Sequence, residues 1–198
     1  MAPAKWQNVT VKPMTQTGHL LTGAAIGVLC LPANASTKQT GAHLLTFMLL
    51  ANVPDLPWPY WGHDQYRVSH SLFVNLVLIL LAVLLLAALR RVRIRIGNWS
   101  VVVGGIAAWL SHLLLDSFYN HGQGVAIFWP LSPARLALPI PWFSVVTSSP
   151  PPITPEMVRI VLIEFVAYFP LLMLAIGIKT GFLRRLLRYL VPERPGAS

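Results

Sequence analysis

The stretch Ser71–Leu89, with the sequence SLFVNLVLILLAVLLLAAL, decides the fold class of this chain. As a helix its nineteen residues extend about 28 Å, which matches a hydrocarbon core of about 30 Å. It ends at a basic block that lipid does not admit, formed by Arg90, Arg91, Arg93 and Arg95. The stretch therefore predicts a membrane-spanning helix.

Four other apolar runs extend this prediction along the chain. Trp99–Leu115 and Met157–Ile178 are long enough to predict two more spanning helices. Leu20–Leu31 and Ala42–Val53 are shorter, and we interpret them as a hairpin of short, tilted or re-entrant membrane helices. A cleaved signal peptide is an alternative for the first of these, because the small residues at 33–35 resemble a cleavage site.

The composition also indicates a membrane protein. Only 11% of the residues are charged, whereas a soluble domain carries about 25%. The net charge is +9, but the basic residues cluster at the ends of apolar runs, so we predict an anionic membrane surface as the partner and no nucleic acid.

The predicted fold is an all-α, polytopic membrane helical bundle in a single integral membrane domain, residues 1–198. It has about five membrane helices, the first two short, and a C-terminal amphipathic surface helix. Its predicted parts are a helical hairpin at 18–57, a second hairpin at 70–116, an extracytoplasmic loop at 117–156, a last membrane helix at 157–179 and the surface helix at 181–191.

The distribution of basic residues predicts the orientation. If each of the five runs crosses the membrane, ten basic residues fall on one face and five on the other. The face with more basic residues is expected to be cytoplasmic. Those ten residues are Lys38, Arg90, Arg91, Arg93, Arg95, Lys179, Arg184, Arg185, Arg188 and Arg194.

Five polar residues form the main functional signal, because polar side chains near a membrane interior usually have a partner or a role. If successive runs cross the membrane in alternating directions, all five residues fall at the outward face. His112 and Asp116 are spaced i, i+4, so they share one side of a helix. Histidine and carboxylate ligands suit zinc, with manganese or iron as alternatives. The candidate metal ligands are His19, Asp55, His70, His112 and Asp116.

Each of these residues also has a plain structural interpretation. His19 could simply begin a helix, and Asp55 between prolines could form a turn. His70 could cap the third helix, while His112 and Asp116 could simply hydrogen-bond to each other. His63, Asp64 and His121 are second-choice ligands in polar loops, and His43 is interpreted as structural.

The chain resembles the bacterial and archaeal family of membrane-bound metal-dependent hydrolases, which includes a LexA-regulated inner-membrane member. The segments that carry the resemblance are GHLLTGAAIG, ANVPDLPW, SHSLFVN, SHLLLDSF and GVAIFWPLSP, in that order over about residues 18–135. The resemblance implies a hydrolase in the cytoplasmic membrane, with the family's polar set on the same five residues and its tryptophan-proline element on Trp129 and Pro130. The chain departs from the family at residues 65–71, where Arg67 lies one position closer to the histidine motif and the histidine expected before it is missing, unless His63 takes its place.

Two functions follow from these observations. The first is a metal-dependent hydrolase at the extracytoplasmic face, acting on a lipid or lipid-linked phosphoester. There Asp116 or Asp55 would accept a proton, and Arg67 or Arg135 would bind phosphate beside Trp129. Glu164, about 10 Å inside the last span, would either satisfy a polar partner or transfer protons. The alternative is a non-catalytic membrane protein whose same residues bind a metal or line an ion pathway.

Overall fold

The structure, a computed structural model, describes residues 16–91, 99–119, 124–138, 140–144, 153–183 and 185. Within these ranges the chain is helical, and its extended contact is an isolated bridge between Val125 and Leu136. The long helices are α1 (Thr17–Cys30), α2 (Thr37–Leu50), α4 (Leu72–Arg91), α5 (Trp99–Asp116) and α6 (Pro155–Lys179). Between α2 and α4 lie two single 3₁₀ turns, Val53–Asp55 and Gly62–Gln65, and a one-turn helix, α3 (Tyr66–Ser69).

Three helices are long and apolar enough to cross a membrane: Leu72–Leu89 of α4, all of α5 and all of α6. The prediction of an all-α fold with membrane-spanning helices is therefore confirmed for the described residues, with three helices of spanning length where the sequence predicted about five membrane helices. The helices α1 and α2 have 14 residues each, about 21 Å of helix, so they are the short pair that the sequence predicted. Most of the predicted surface helix at 181–191 lies outside the described residues.

The second helix begins earlier than its apolar run. We predicted the run from Ala42, but α2 starts at Thr37, within the polar stretch that separates the two short helices. Ser36 caps it: the Gln39 amide donates to the Ser36 hydroxyl, and the Ser36 amide donates to the Gln39 side chain. This capping box satisfies two backbone amide donors that would otherwise have no partner in the helix, so a polar sequence can begin the helix.

The central element is α1, which packs against α2, α5 and α6. It approaches α2 closely at Gly23, where an added Cβ would lie 2.6 Å from the Phe47 carbonyl oxygen and 2.9 Å from the Ala51 Cβ. At the other end of α1, Lys179 of α6 donates to the carbonyls of Leu29 and Leu31. A cation at carbonyls near a helix C-terminus is favourable, and here it also joins α1 to α6.

The segment after α5 returns to the beginning of α4. The Leu72 amide donates to the Ile127 carbonyl over 2.9 Å, and the Ser71 hydroxyl donates to the Trp129 carbonyl. Residues 124–138 therefore lie at the end of the bundle where α1 and α4 begin and α5 ends. Lys179 lies at the opposite end, beside the end of α1.

We expect these two ends to face opposite sides of the membrane, with Lys179 on the cytoplasmic side, because basic residues concentrate there. In a Cys30→Ser background, a membrane-impermeant thiol reagent added to whole cells should label Ala134→Cys and should not label Thr180→Cys. Permeabilised cells, in which both positions should react, provide the control. Labelling of the Thr180 variant alone from outside would reverse the orientation.

Candidate metal centre

Five polar side chains from four parts of the chain meet at the end of the bundle where α1 and α4 begin. His19 lies in the first turn of α1, and Asp55 ends the 3₁₀ turn after α2. His70 lies between α3 and α4, and His112 and Asp116 occupy the last turns of α5. All five candidate ligands are thus brought together, and none is more than 6% exposed.

Four ligand atoms converge most closely. The His70 Nε2 lies 2.9 Å from Asp116 Oδ2, 3.3 Å from Asp55 Oδ1 and 3.2 Å from the His112 Nε2. The His112 Nε2 lies 3.5 Å from Asp116 Oδ2 and 3.7 Å from Asp55 Oδ1. In a tetrahedral site with bonds of about 2.1 Å, ligand atoms are about 3.4 Å apart, so these separations match such a site.

Backbone carbonyls fix the tautomers of two histidines. The Nδ1 of His112 lies 2.8 Å from the Ala51 carbonyl oxygen, and the Nδ1 of His70 lies 3.1 Å from that of Tyr66. A carbonyl oxygen only accepts, so the His112 Nδ1 carries the hydrogen. The His70 Nδ1 also lies 2.7 Å from the Ser69 hydroxyl, which donates to the Gly62 carbonyl over 3.0 Å, so this Nδ1 carries its hydrogen too. In their neutral form the two rings therefore direct their Nε2 lone pairs toward each other and toward the carboxylates. Metal-binding histidines commonly have this arrangement, with the outer nitrogen donating to a carbonyl.

The fifth residue, His19, approaches the other carboxylate oxygen of Asp116. Its Nε2 lies 3.1 Å from Asp116 Oδ1, and its ring stacks on that of His112 with centroids 4.1 Å apart. His19, His112 and Asp116 form one possible ligand group, and Asp55, His70 and His112 form a second. The two groups share His112, so the five residues make one continuous cluster.

The chemistry of this donor set fits a cation. Two lone pairs and two carboxylates facing one another repel unless a proton or a metal ion lies among them. Although burial raises the pKa of Asp55, His112 and His70 outweigh it and hold that pKa well below the usual range. Burial lowers the pKa of His70, but its hydrogen bonds to Asp116 and Asp55 and their charges raise it above the ordinary value. Asp55 is therefore an anion, and a divalent metal ion could take the place of the proton on His70.

The family model of the YdjM inner membrane protein matches residues 14–181 of the chain, which include all five clustered residues. The chain belongs to this family. No curated protein and no solved structure matches it significantly. Membership in the YdjM inner membrane protein family agrees with the three helices of spanning length and with the predicted inner-membrane location.

Sequence reasoning missed Tyr66, which this member of the YdjM family places against the cluster. Its hydroxyl donates to Asp116 Oδ2 over 3.1 Å, and its ring stacks on that of His70 with centroids 3.8 Å apart. Burial and the nearby Asp116 and Asp55 charges raise the pKa of Tyr66, so the hydroxyl keeps its proton and donates. The available signal was its spacing, one helical turn before His70.

Glu164 lies beside the cluster rather than among the four converging atoms. Its Oε2 accepts the Gly18 amide hydrogen over 3.0 Å, in the first turn of α1 and next to His19. A carboxylate is favourable at this position because the first amides of a helix have no partner within the helix. Burial and the Glu164 charge raise the pKa of Tyr119, which lies near the same carboxylate. Glu164 thus holds the helix end that carries His19.

The three predicted substrate-binding residues lie at the same end of the bundle. Arg135 donates to the Gly124 carbonyl over 3.4 Å. Burial and the Asp116 and Asp55 charges raise the pKa of Tyr66, and the nearby Arg135 charge opposes them without outweighing them. Arg67 is exposed next to Tyr66 in α3. Trp129 contributes its backbone carbonyl to Ser71, and its indole is half-buried.

The second-choice residues do not enlarge the described cluster. His121 and the side chains of His63 and Asp64 lie outside the described part of the structure. His43, which we interpreted as structural, has its Nε2 3.0 Å from the Gly27 carbonyl oxygen and its ring against Phe47. It therefore joins α2 to α1, away from the metal-ligand candidates.

Proposed function

We propose that this protein is a metal-dependent hydrolase whose centre lies at the extracytoplasmic membrane face and acts on a lipid or lipid-linked phosphoester. The observation that carries the proposal is the convergence of four acceptor atoms, His70 Nε2, His112 Nε2, Asp55 Oδ1 and Asp116 Oδ2. Zinc suits this mixed nitrogen and oxygen set best, and manganese or iron also fit. A divalent metal ion held there would acidify water and polarise a phosphoester.

The chain's own residues have distinct roles in this proposal. The carbonyls of Ala51 and Tyr66 orient the two imidazoles, and the Tyr66 hydroxyl orients Asp116. Three of the four converging atoms, the two imidazole nitrogens and one carboxylate oxygen, would hold the metal and leave one position open to water, and the other carboxylate, that of Asp55 or Asp116, would accept the proton from that water.

Recognition of the substrate would come from the loop side of the centre. Arg135 lies near Tyr66 and could pair with a phosphate oxygen, and Arg67 follows Tyr66 directly. Because the centre is at the end of helices of spanning length, an ester at the membrane surface is the most accessible substrate.

The burial of the cluster favours a second candidate, a metal site that only stabilises the bundle. His19, His70, His112 and Asp116 are all 0% exposed, so water and substrate need an opening that the described residues do not provide. A metal joining α1, α5 and the segment before α4 would stabilise the fold by linking them.

A substrate screen separates the two candidates. The purified full chain, loaded with zinc, is incubated in mixed micelles with phospholipids and isoprenoid phosphates, with and without a chelator. We expect release of a phosphorylated or free headgroup that the chelator abolishes and added zinc restores. Stoichiometric bound zinc with no turnover on any of these substrates, and a lower melting temperature after chelation, would overturn the hydrolase in favour of the stabilising site.

A further inference from the structure

An apolar cleft of about 210 Å³ lies between α2, α4 and α5, below the metal centre. Its walls include Phe47 and Leu50 of α2, Ile79 and Val83 of α4, and Val102 and Ile106 of α5. An apolar cavity of about 150 Å³ is enough to bind benzene, so this cleft can hold a longer hydrocarbon segment.

Small residues keep the cleft open. Ala82 forms part of the α4 wall, and Gly105 forms part of the α5 wall beside Leu50. A Cβ added at Gly105 would lie 3.2 Å from the Leu50 side chain. Larger side chains at 82 or 105 would therefore project into the space.

The depth of the cleft determines what can fill it. Its α4 residues, 79–86, lie about 10–21 Å from the beginning of α4, which is inside the hydrocarbon core if this helix spans the membrane. At that depth the available occupants are lipid chains and other membrane helices.

The polar groups of the lining are already engaged. The Trp109 indole nitrogen donates to Asn75 Oδ1 over 2.7 Å, and the Thr46 hydroxyl donates to the Ala42 carbonyl over 2.8 Å. With both donors used inside the protein, the lining offers hydrocarbon contact rather than hydrogen bonds. This favours an acyl or isoprenoid chain over a polar ligand.

The upper end of the cleft adjoins the metal centre. Leu50 precedes Ala51, whose carbonyl holds His112. Trp109 lies three residues before His112 on the same helix, α5. Asn75, which accepts from Trp109, also donates to the carbonyls of Ser69 and Ser71 on either side of His70. The residues at the upper end of the cleft are therefore bonded to, or adjacent to, the groups that hold His70 and His112.

We propose that the cleft binds one hydrocarbon chain of a lipid that enters sideways from the bilayer, with its ester end at the metal centre. This inference rests on the proposed function, because it makes the lipid the substrate of that centre. It assigns the substrate class to lipids with a chain that can lie alongside α4 and α5.

Photo-cross-linking tests the proposal directly. The full chain is reconstituted in vesicles of phosphatidylethanolamine and phosphatidylglycerol, with a diazirine in one acyl chain of the phosphatidylglycerol. Mass spectrometry should find more cross-links at Ile79, Val83 and Ile106 than at the exposed residue Leu84, which reports passing lipid contact. Equal cross-linking at the two kinds of position would overturn the proposal, and this comparison needs no variant.

A pair of variants locates the bound chain. Ala82→Trp fills the cleft, so its cross-links should be lost, whereas Ala107→Trp on the exposed side of α5 should leave them unchanged. If the cleft instead holds a second copy of the chain, Ala82→Trp would convert a dimer to monomers without changing the lipid cross-links, which would overturn the proposal.

Metal content distinguishes this inference from the proposed function. Bound zinc without enriched cross-links in the cleft overturns only the proposal that the cleft binds a lipid chain. Enriched cross-links in a chain that binds no divalent metal overturn the metal-dependent hydrolase, and the cleft then remains only a lipid site.

Discussion

Replacing His112 or Asp116 with alanine is expected to remove bound metal and abolish chelator-sensitive hydrolysis, while the protein stays folded in detergent. Asp116 contacts His70 through one oxygen and His19 through the other, and His112 is common to both possible ligand groups. Loss of either should weaken metal binding by more than the roughly 10–100-fold typical of an outer partner. Elemental analysis of the purified variants, together with the substrate screen, measures both effects.

Glu164→Gln is the matched control for this prediction. It changes another buried carboxylate of the same end of the bundle, but one that contacts the Gly18 amide. The amide oxygen of glutamine can still accept that hydrogen, so metal content should be retained and activity should fall less. An Asp116→Ala protein with full chelator-sensitive turnover would place the metal elsewhere, and SHLLLD would then contain only a structural pair.

Gly23→Ala is expected to destabilise the protein by about 1–3 kcal/mol, the usual range for overpacking. The new Cβ would lie 2.6 Å from the Phe47 carbonyl oxygen, which is backbone and cannot rotate away. Separation of α1 from α2 would also displace Ala51, whose carbonyl holds the His112 ring. We therefore expect a lower melting temperature in detergent together with weaker metal binding.

Gly41→Ala is the control for this second prediction. Gly41 lies in α2, and an added Cβ there would meet nothing within 4 Å. Alanine is favoured over glycine within helices by about 1 kcal/mol, so this variant should be as stable as the unchanged protein or more so. A Gly23→Ala protein that melts with or above the Gly41→Ala protein would contradict the close packing of α1 on α2.

The class of fold and the identity of the clustered residues could both be predicted from the sequence. A run such as Ser71–Leu89 needs no tertiary information, because its length and lack of charge alone match a hydrocarbon core. Likewise, each spanning helix runs opposite to the one before it, so the chain returns to the same end of the bundle after every second helix. Polar residues placed at those boundaries, such as His19, Asp55 and Asp116, are therefore expected at the same end of the bundle, and the packing of the helices brings them into contact.

The limits of the elements were harder to predict. An apolar run marks the part of a helix that can lie in lipid or in the protein interior, while the beginning of the helix depends on local hydrogen bonds such as those between Ser36 and Gln39. For the same reason His70, expected to open the third membrane helix, lies between α3 and α4, and its amide donates to Tyr66.

The sequence by itself determined that the chain is a membrane helical bundle and which polar residues gather at one end. Only the tertiary structure decided that the Ala51 and Tyr66 carbonyls direct the histidine Nε2 atoms inward, that Glu164 binds the Gly18 amide, and that a cleft lies beside α4. These features depend on how far each helix is rotated about its axis and how closely it approaches its neighbours. In helices that are apolar on nearly every side, the hydrophobic pattern does not encode that rotation, so contacts such as Gly23 against Phe47 set it instead.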